Sequence, residues 1–264
     1  MDLQLKGKTA FISGSTQGIG FAIAKQLLQE GAAVIINGRN AQKINDAIDR
    51  LKAAVPGGDV KGLAADFSKA NQVNDLLHEI QDVDILINNA GIFEPVAFTE
   101  ITDEKWFEMF EVNVMSGVRL SRHVFPRMLA RNWGRIIFIS SESAVQIPEE
   151  MIHYGMTKTA QLSIARGLAE LTKGTGVTVN SVLPGPTESE GVKEFVKQLA
   201  ASQNKTFEEA EKDFFNTARP SSLLRRFETV DEVASMVTYI SSPLASATNG
   251  AALRVDGGVT RSIV

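Results

Sequence analysis

Residues 8–31 read Lys-Thr-Ala-Phe-Ile-Ser-Gly-Ser-Thr-Gln-Gly-Ile-Gly-Phe-Ala-Ile-Ala-Lys-Gln-Leu-Leu-Gln-Glu-Gly. The first part is a short apolar run that ends in glycine, the pattern of a buried strand. The second part sets Ile19, Ala22, Ile23, Leu27 and Leu28 on one side of a helix that Gly31 closes. Between them lies Ser13-Gly14-Ser15-Thr16-Gln17-Gly18-Ile19-Gly20, with glycines spaced G-x-x-x-G-x-G. Glycine lets a backbone turn sharply and approach a ligand closely. The free N–H groups and dipole at a helix start favour an anion there. A tight turn without a ligand could use the same residues, but the strand before and the helix after favour a dinucleotide phosphate.

The alternation continues outward from this turn. Strands are expected at 33–37, 60–65, 83–87, 136–140, 177–183 and 251–255, and helices at 41–54, 71–81, 102–131, 151–172 and 231–240. The 102–131 helix is expected to bend or break near Gly117. Strands alternating with helices imply α/β architecture, a doubly wound parallel sheet in a single domain over 1–264. Residues 189–227 depart from the pattern: they are charged and helical, and carry Phe195, Phe207, Phe214, Phe215 and Phe227. They follow Pro184-Gly185-Pro186 at a strand's carboxyl end, where open sheets bind ligands. An ordinary insertion would read the same way, but that position favours a substrate lid.

Composition narrows the function classes. The chain has 264 residues, 44% of them apolar, which is ample for a core. A net charge of -4 gives no reason to expect nucleic acid or an anionic membrane surface as partner. The absence of cysteine excludes disulfides and thiolate catalysis. His78, His123 and His153 have no metal-ligand spacing, so no metal site is expected. No run approaches the ~20 apolar residues that span a bilayer. A cytoplasmic protein acting on a small molecule is the expectation.

Two further features carry chemistry. Tyr154 and Lys158 are four residues apart, so a helix puts them on one face. An ammonium beside the phenol would pull its pKa down from ~10 and create a general acid/base. His153, next along the helix, should point about 100° away and so is structural or substrate-facing at most. At the end of the second strand the run Asn37-Gly38-Arg39-Asn40 lacks the carboxylate that would bond the 2'-hydroxyl of NAD. Arg39 there suits a 2'-phosphate, which favours NADP, with NAD possible.

Taken together, these residues resemble the short-chain dehydrogenase/reductase family, nearest its 3-oxoacyl-[acyl-carrier-protein] reductases and related sugar, polyol and steroid dehydrogenases. The likeness runs from Lys6 to about Gly258 and includes Asp66, Asn88-Asn89-Ala90-Gly91, Asn113, Ser141, Tyr154-x-x-x-Lys158 and Pro184-Gly185. It implies a Rossmann-type fold and interconversion of a ketone and a secondary alcohol by hydride transfer. In that resemblance Tyr154 is the general acid/base, and Lys158 lowers its pKa and binds the nicotinamide ribose. Ser141, chosen over Ser140 and Ser143 by its offset from the tyrosine, bonds the substrate carbonyl, and Asn113 holds a water near Lys158. The glycine turn (Gly14, Ser15, Thr16, Gln17, Gly18, Ile19 and Gly20) cradles the diphosphate. Asp66 and the Phe67 backbone meet the adenine, although Asp66 could instead cap a helix or stabilise a turn. Asn88 to Gly91 shape the cofactor channel, and Pro184, Gly185 and Thr187 lie against the nicotinamide.

Gln17 stands where many NADP-preferring members carry a basic residue. Thr175 stands where carrier-protein reductases tend to place one. Glu142, Glu149, Glu150, Glu188 and Glu190 would form an acidic rim that disfavours an acidic carrier protein. The resemblance also implies a homotetramer. A dinucleotide-sensing regulator on the same fold is the alternative, but such proteins usually lack the tyrosine or lysine.

Overall fold

A computed structural model describes residues 2–80 and 82–263, apart from the side chains of Phe195 and Leu199. Strands β1 (Thr9–Ile12), β2 (Ala33–Gly38), β3 (Val60–Ala64), β4 (Ile85–Asn88), β5 (Gly134–Ile139), β6 (Val177–Pro184) and β7 (Ala252–Val255) form one seven-stranded sheet in the order β3-β2-β1-β4-β5-β6-β7. Every pairing is parallel. The order reverses between β1 and β4, and a crevice opens at the carboxyl ends of the strands there.

Period-two alternation divides the core between the two faces. Ala10 and Ile12 of β1, Val34 and Ile36 of β2, and Ile137 and Ile139 of β5 pack with helices α1 (Gly18–Gln29), α2 (Ala41–Ala54) and, further along the chain, 230–240. Phe11, Ile35, Ile136 and Phe138 point the other way. They pack with α3 (Ala70–Glu79), α5 (Ser116–Ala130) and α6 (Ile152–Glu170). These runs are apolar without interruption because both faces are covered.

The expected 102–131 helix is α4 (Asp103–Phe110) joined to α5 by a π-helical turn, Glu111–Met115. The irregularity therefore precedes Gly117. That glycine lies against Phe138, where a Cβ would come within 2.7 Å of the ring. Close packing, not a break, explains it. The end of the 71–81 helix expectation falls on Gln81, outside the described residues.

Residues 189–227 form α7 (Glu190–Ser202) and α8 (Phe207–Thr217). Val196, Ala200, Ala210, Phe215 and Phe227 make a small core of their own, with Phe207 and Phe214 packed on it. Phe214, Phe215 and Phe227 form a triangle with ring centroids 5.1–5.2 Å apart. α9 (Val230–Ile240) follows, started by a capping box at Thr229 and Glu232. No helix among the described residues is long and apolar enough to cross a membrane, and no acidic, histidine or cysteine cluster there has metal-site geometry.

Candidate active site

The glycine turn is built as its spacing implies. Gly14 (φ +62°) and Gly18 (φ +61°) occupy the left-handed region, where a side chain would be strained. At Gly20 a Cβ would lie 2.7 Å from the Gly14 carbonyl oxygen and 2.6 Å from Asn89 Nδ2. Asn37, at the end of β2, holds the turn from one side. Its Oδ1 accepts from the Gly14 N–H (3.1 Å), and its backbone exchanges bonds with Ser15 (2.8 and 2.9 Å). Asn89, beyond β4, holds the other side by donating to the carbonyls of Ser13 (3.0 Å) and Gly14 (2.8 Å). The Gly18 N–H donates to Glu190 Oε2 at 2.8 Å. A carboxylate from the start of α7 thus sits where the physics of a helix start puts an anion. Arg50 stands 3.8 Å from the same carboxylate. Arg39 is exposed and makes no ion pair among the described residues.

Tyr154 and Lys158 lie one turn apart on α6, and Ser141 follows β5. The Tyr154 hydroxyl lies near Ser141, whose side chain opposes the rise that burial causes in its pKa. Ser140 spends its hydroxyl on the Lys158 carbonyl (2.9 Å), and Ser143 spends its own on Glu142. Ser141 donates to Glu142 as well (3.1 Å), and of the three serines it is the one whose side chain acts on the Tyr154 phenol. Lys158 Nζ donates to the Ile139 carbonyl (3.0 Å) and to Gln161 Oε1 (3.4 Å), and it lies 5.5 Å from the centroid of the Tyr154 ring. Asn113 is fully buried inside the π turn. It accepts from the Ile92 N–H (2.7 Å) and donates to the Ile92 carbonyl (2.9 Å) and Thr157 Oγ1 (3.0 Å). Gln161 Nε2 in turn donates to the Asn113 carbonyl at 2.6 Å. The extra residue of a π turn re-aims this side chain toward α6 and Lys158.

The electrostatics correct one expectation. Burial pushes the Tyr154 phenol up to about 12, outweighing the opposing effect of Ser141. Burial also brings the Lys158 ammonium down to about 8. The ammonium is not bonded to the phenol oxygen. It lies over the ring and is held by a carbonyl, so loss of water governs both groups. His153 is fully buried, edge-on to Trp106 at 5.7 Å, and does not line the cavity described next.

A cavity of about 580 Å³ brings together Ile19, Asn89, Gly91, Ser141, Tyr154, Lys158, Pro184, Gly185 and Thr187 with Phe214, Arg219 and Phe227 from the 189–227 region. Other expected residues have different surroundings. Asn88 donates to Ser121 in the interior (3.1 Å). The Phe67 side chain packs in the core. Asp66 accepts from the Ser68 N–H (3.0 Å) and hydroxyl (2.8 Å), the turn-stabilising alternative. The acidic rim is also less acidic than the sequence suggests. Glu142 is buried and paired with Arg219 (2.8 Å), Glu188 is paired with Lys193 (2.7 Å), and Glu190 is drawn onto the glycine turn. Sequence reasoning missed Asn37 as the organiser of the turn, and Gln161 and Arg219 altogether.

A parallel sheet with a glycine turn at its order reversal, and with Ser141, half-buried Tyr154 and Lys158 gathered at its carboxyl edge, defines a Rossmann-type fold with a candidate site. Residues 8–200 match the model of the short chain dehydrogenases, and the chain belongs to that family of oxidoreductases. An uncharacterized oxidoreductase of Bacillus subtilis, YvaG, is 51% identical over 263 residues, covering 100% of both chains. D-beta-hydroxybutyrate dehydrogenase of Cupriavidus necator is 33% identical over 262 residues, covering 96% of this chain and 98% of that one. The crystal structure of L-sorbose reductase from Gluconobacter frateurii, complexed with NADPH and L-sorbose, superimposes with a TM-score of 0.93 at 30% identity, with both chains covered in full.

Proposed function

We propose that the protein interconverts a ketone and a secondary alcohol with NADP, Tyr154 acting as the general acid/base. The observation that carries this reading is that Ser141, Tyr154 and buried Lys158 stand together at the wall of a cavity that reaches the glycine turn. The residues suit the dinucleotide. The Gly18 N–H already binds a carboxylate, Arg39 offers an unpaired cation at the end of β2, and Pro184 to Thr187 form the opposite wall. When bound, the dinucleotide supplies or accepts the hydride.

The chain's own groups supply position and protons. Tyr154 gives its proton to the carbonyl oxygen in reduction and takes it back in oxidation. It is protonated at neutral pH, the form that reduction needs, although burial makes it a weaker acid than a free phenol. Ser141 bonds the same oxygen and fixes its distance from the reacting carbon. Lys158, brought down to about 8, exchanges protons near neutrality, and Asn113 and Gln161 orient it. Burial under the 189–227 region, which we read as the substrate lid, keeps water from the reacting atoms.

Among ketones, a neutral hydroxylated one suits the cavity better than an acyl carrier substrate. Thr187, Gln203 and Thr217 line it with neutral polar groups, and the Glu150 and Asp213 carboxylates there can accept from substrate hydroxyls. The NADPH- and L-sorbose-bound neighbour supports the same choice. The proposal extends to a homotetramer in the cytoplasm, the assembly supported by the exposed Phe107 and Phe110 on α4 and Leu171 just beyond α6. The test is a hydride-transfer screen over ketoses, polyols, cyclic ketones and acetoacetyl thioesters, with NADPH and NADH side by side. Turnover of a ketose with NADPH preferred is expected. Cofactor binding without turnover on any substrate would favour the regulator instead.

A further inference from the structure

We propose that Arg219, carried on the segment after α8, is a positioning residue: by neutralising Glu142 it sets the Ser141 hydroxyl and the proton transfer of Tyr154, and does so only while that segment is seated. The inference rests on Tyr154 being the proton-transfer group, as proposed above.

The contacts form one chain. Arg219 Nε donates to Glu142 Oε1 at 2.8 Å, with both residues buried. The other carboxylate oxygen, Glu142 Oε2, accepts from the Ser141 hydroxyl at 3.1 Å and from the Ser143 hydroxyl. Ser141 Oγ accepts from the Ser143 N–H (3.1 Å) and lines the same cavity wall as Tyr154. A serine hydroxyl has one proton. While Ser141 gives it to Glu142, the proton is not available to a substrate carbonyl. An uncompensated carboxylate would hold that proton more tightly and oppose negative charge on the reacting oxygen. Arg219 weakens both effects.

The charged groups lining the cavity around Tyr154 are Lys158 on its own helix, Glu142 after β5, Glu150 before α6, Asp213 on α8 and Arg219. Glu142 pushes the phenol up and Arg219 pulls it down. Arg219 also reaches Glu150 at 3.3 Å. Its position depends on the aromatic cluster. Its N–H donates to the Phe214 carbonyl (3.0 Å), its guanidinium lies 5.8 Å from the Phe214 ring, and Phe214 packs on Phe215 and Phe227. Lifting α7 and α8 would take the counter-charge away from Glu142. The active site is therefore electrically complete only under a seated lid.

The test measures Tyr154 ionisation by ultraviolet difference titration against Tyr154→Phe, alongside the pH dependence of kcat. Arg219→Met should push the Tyr154 titration further up, beyond the pH range in which the folded protein can be followed, and lower kcat at least ~10-fold, with KM changed far less. Glu142→Gln should move the titration down. Glu142→Gln/Arg219→Met should return it to near the wild-type position and recover kcat, because neutral partners tolerate each other where a lone buried charge does not. Arg219→Lys, which keeps the charge, should also stay near wild type. If Arg219→Met does not fold, Glu142→Gln and the double variant still decide the matter. A titration unmoved in Glu142→Gln, or a double variant titrating as far up as Arg219→Met, overturns the proposal. The titration needs no substrate, so a protein without turnover would refute the proposed reaction while leaving this coupling measurable.

Discussion

Gly20→Ala tests whether the glycine turn is a rigid cradle. The added methyl would meet the Gly14 carbonyl oxygen at 2.7 Å, Ser15 Cα at 2.9 Å and Asn89 Nδ2 at 2.6 Å. Two of these are backbone atoms of the turn itself, and Asn89 is held by the Ser13 and Gly14 carbonyls. None is the far end of a flexible chain, so the turn must shift. Overpacking a fixed framework costs ~1–3 kcal/mol. At ~2 kcal/mol the midpoint of thermal unfolding falls by roughly 4–8 °C for a chain of this size. The dinucleotide loses more. Moving the turn misdirects N–H groups whose charge-assisted bonds are worth ~1.5–3 kcal/mol each, so Kd for NADPH should rise at least ~10-fold. Gly167→Ala is the control. Nothing lies within 4 Å of its Cβ position in α6, and a helical Gly→Ala change should stabilise by ~0.5–1 kcal/mol without touching binding. Titration of intrinsic fluorescence with NADPH, paired with thermal melts, reads both quantities. Wild-type affinity in Gly20→Ala would refute the rigid-cradle argument.

The remaining predictions concern charge. Glu190→Gln removes a carboxylate that competes for the Gly18 N–H, so NADPH should bind several-fold more tightly by calorimetry; weaker binding would mean that Glu190 supports the site instead. Glu228 is buried at the foot of the Pro184–Thr187 segment, where it accepts from the Gly185 N–H (3.3 Å), and burial raises its carboxyl from 4.5 to about 8. Between those values the native state keeps a proton that the unfolded chain releases, so stability falls as pH rises through the window. Glu228→Gln should therefore raise the melting temperature at pH 8 by a few degrees and leave it unchanged near pH 4, as differential scanning calorimetry at the two pH values would show.

The legible parts of the sequence were those governed by local backbone physics. Gly14 and Gly18 need the left-handed region, and Gly31 ends α1 with φ +84°, so their meaning lies in the residue type itself. The parallel sheet and its two covered faces followed from uninterrupted apolar runs alternating with helices. Long-range pairings were not legible. Asn37 organises the glycine turn across two neighbouring strands, and Glu142 meets Arg219 from 77 residues away. A carboxylate that looked like part of an exposed rim is instead half of a buried ion pair. The direction of the Tyr154 shift was misread for a related reason. The spacing of Tyr154 and Lys158 puts them on one face, but it does not say that both lose their water or that the ammonium turns to the Ile139 carbonyl. Nothing in the sequence around Asn113 announces the π turn that brings its side chain to Thr157 and Ile92.

The account stands on one phenol as the proton donor. The direct measurement is kcat of Tyr154→Phe with saturating NADPH and the best ketone found by the screen, together with Kd for NADPH. A fall of at least ~100-fold in kcat, with NADPH affinity little changed, is predicted from the size of a general-acid contribution. Wild-type kcat in the phenylalanine variant would contradict the account.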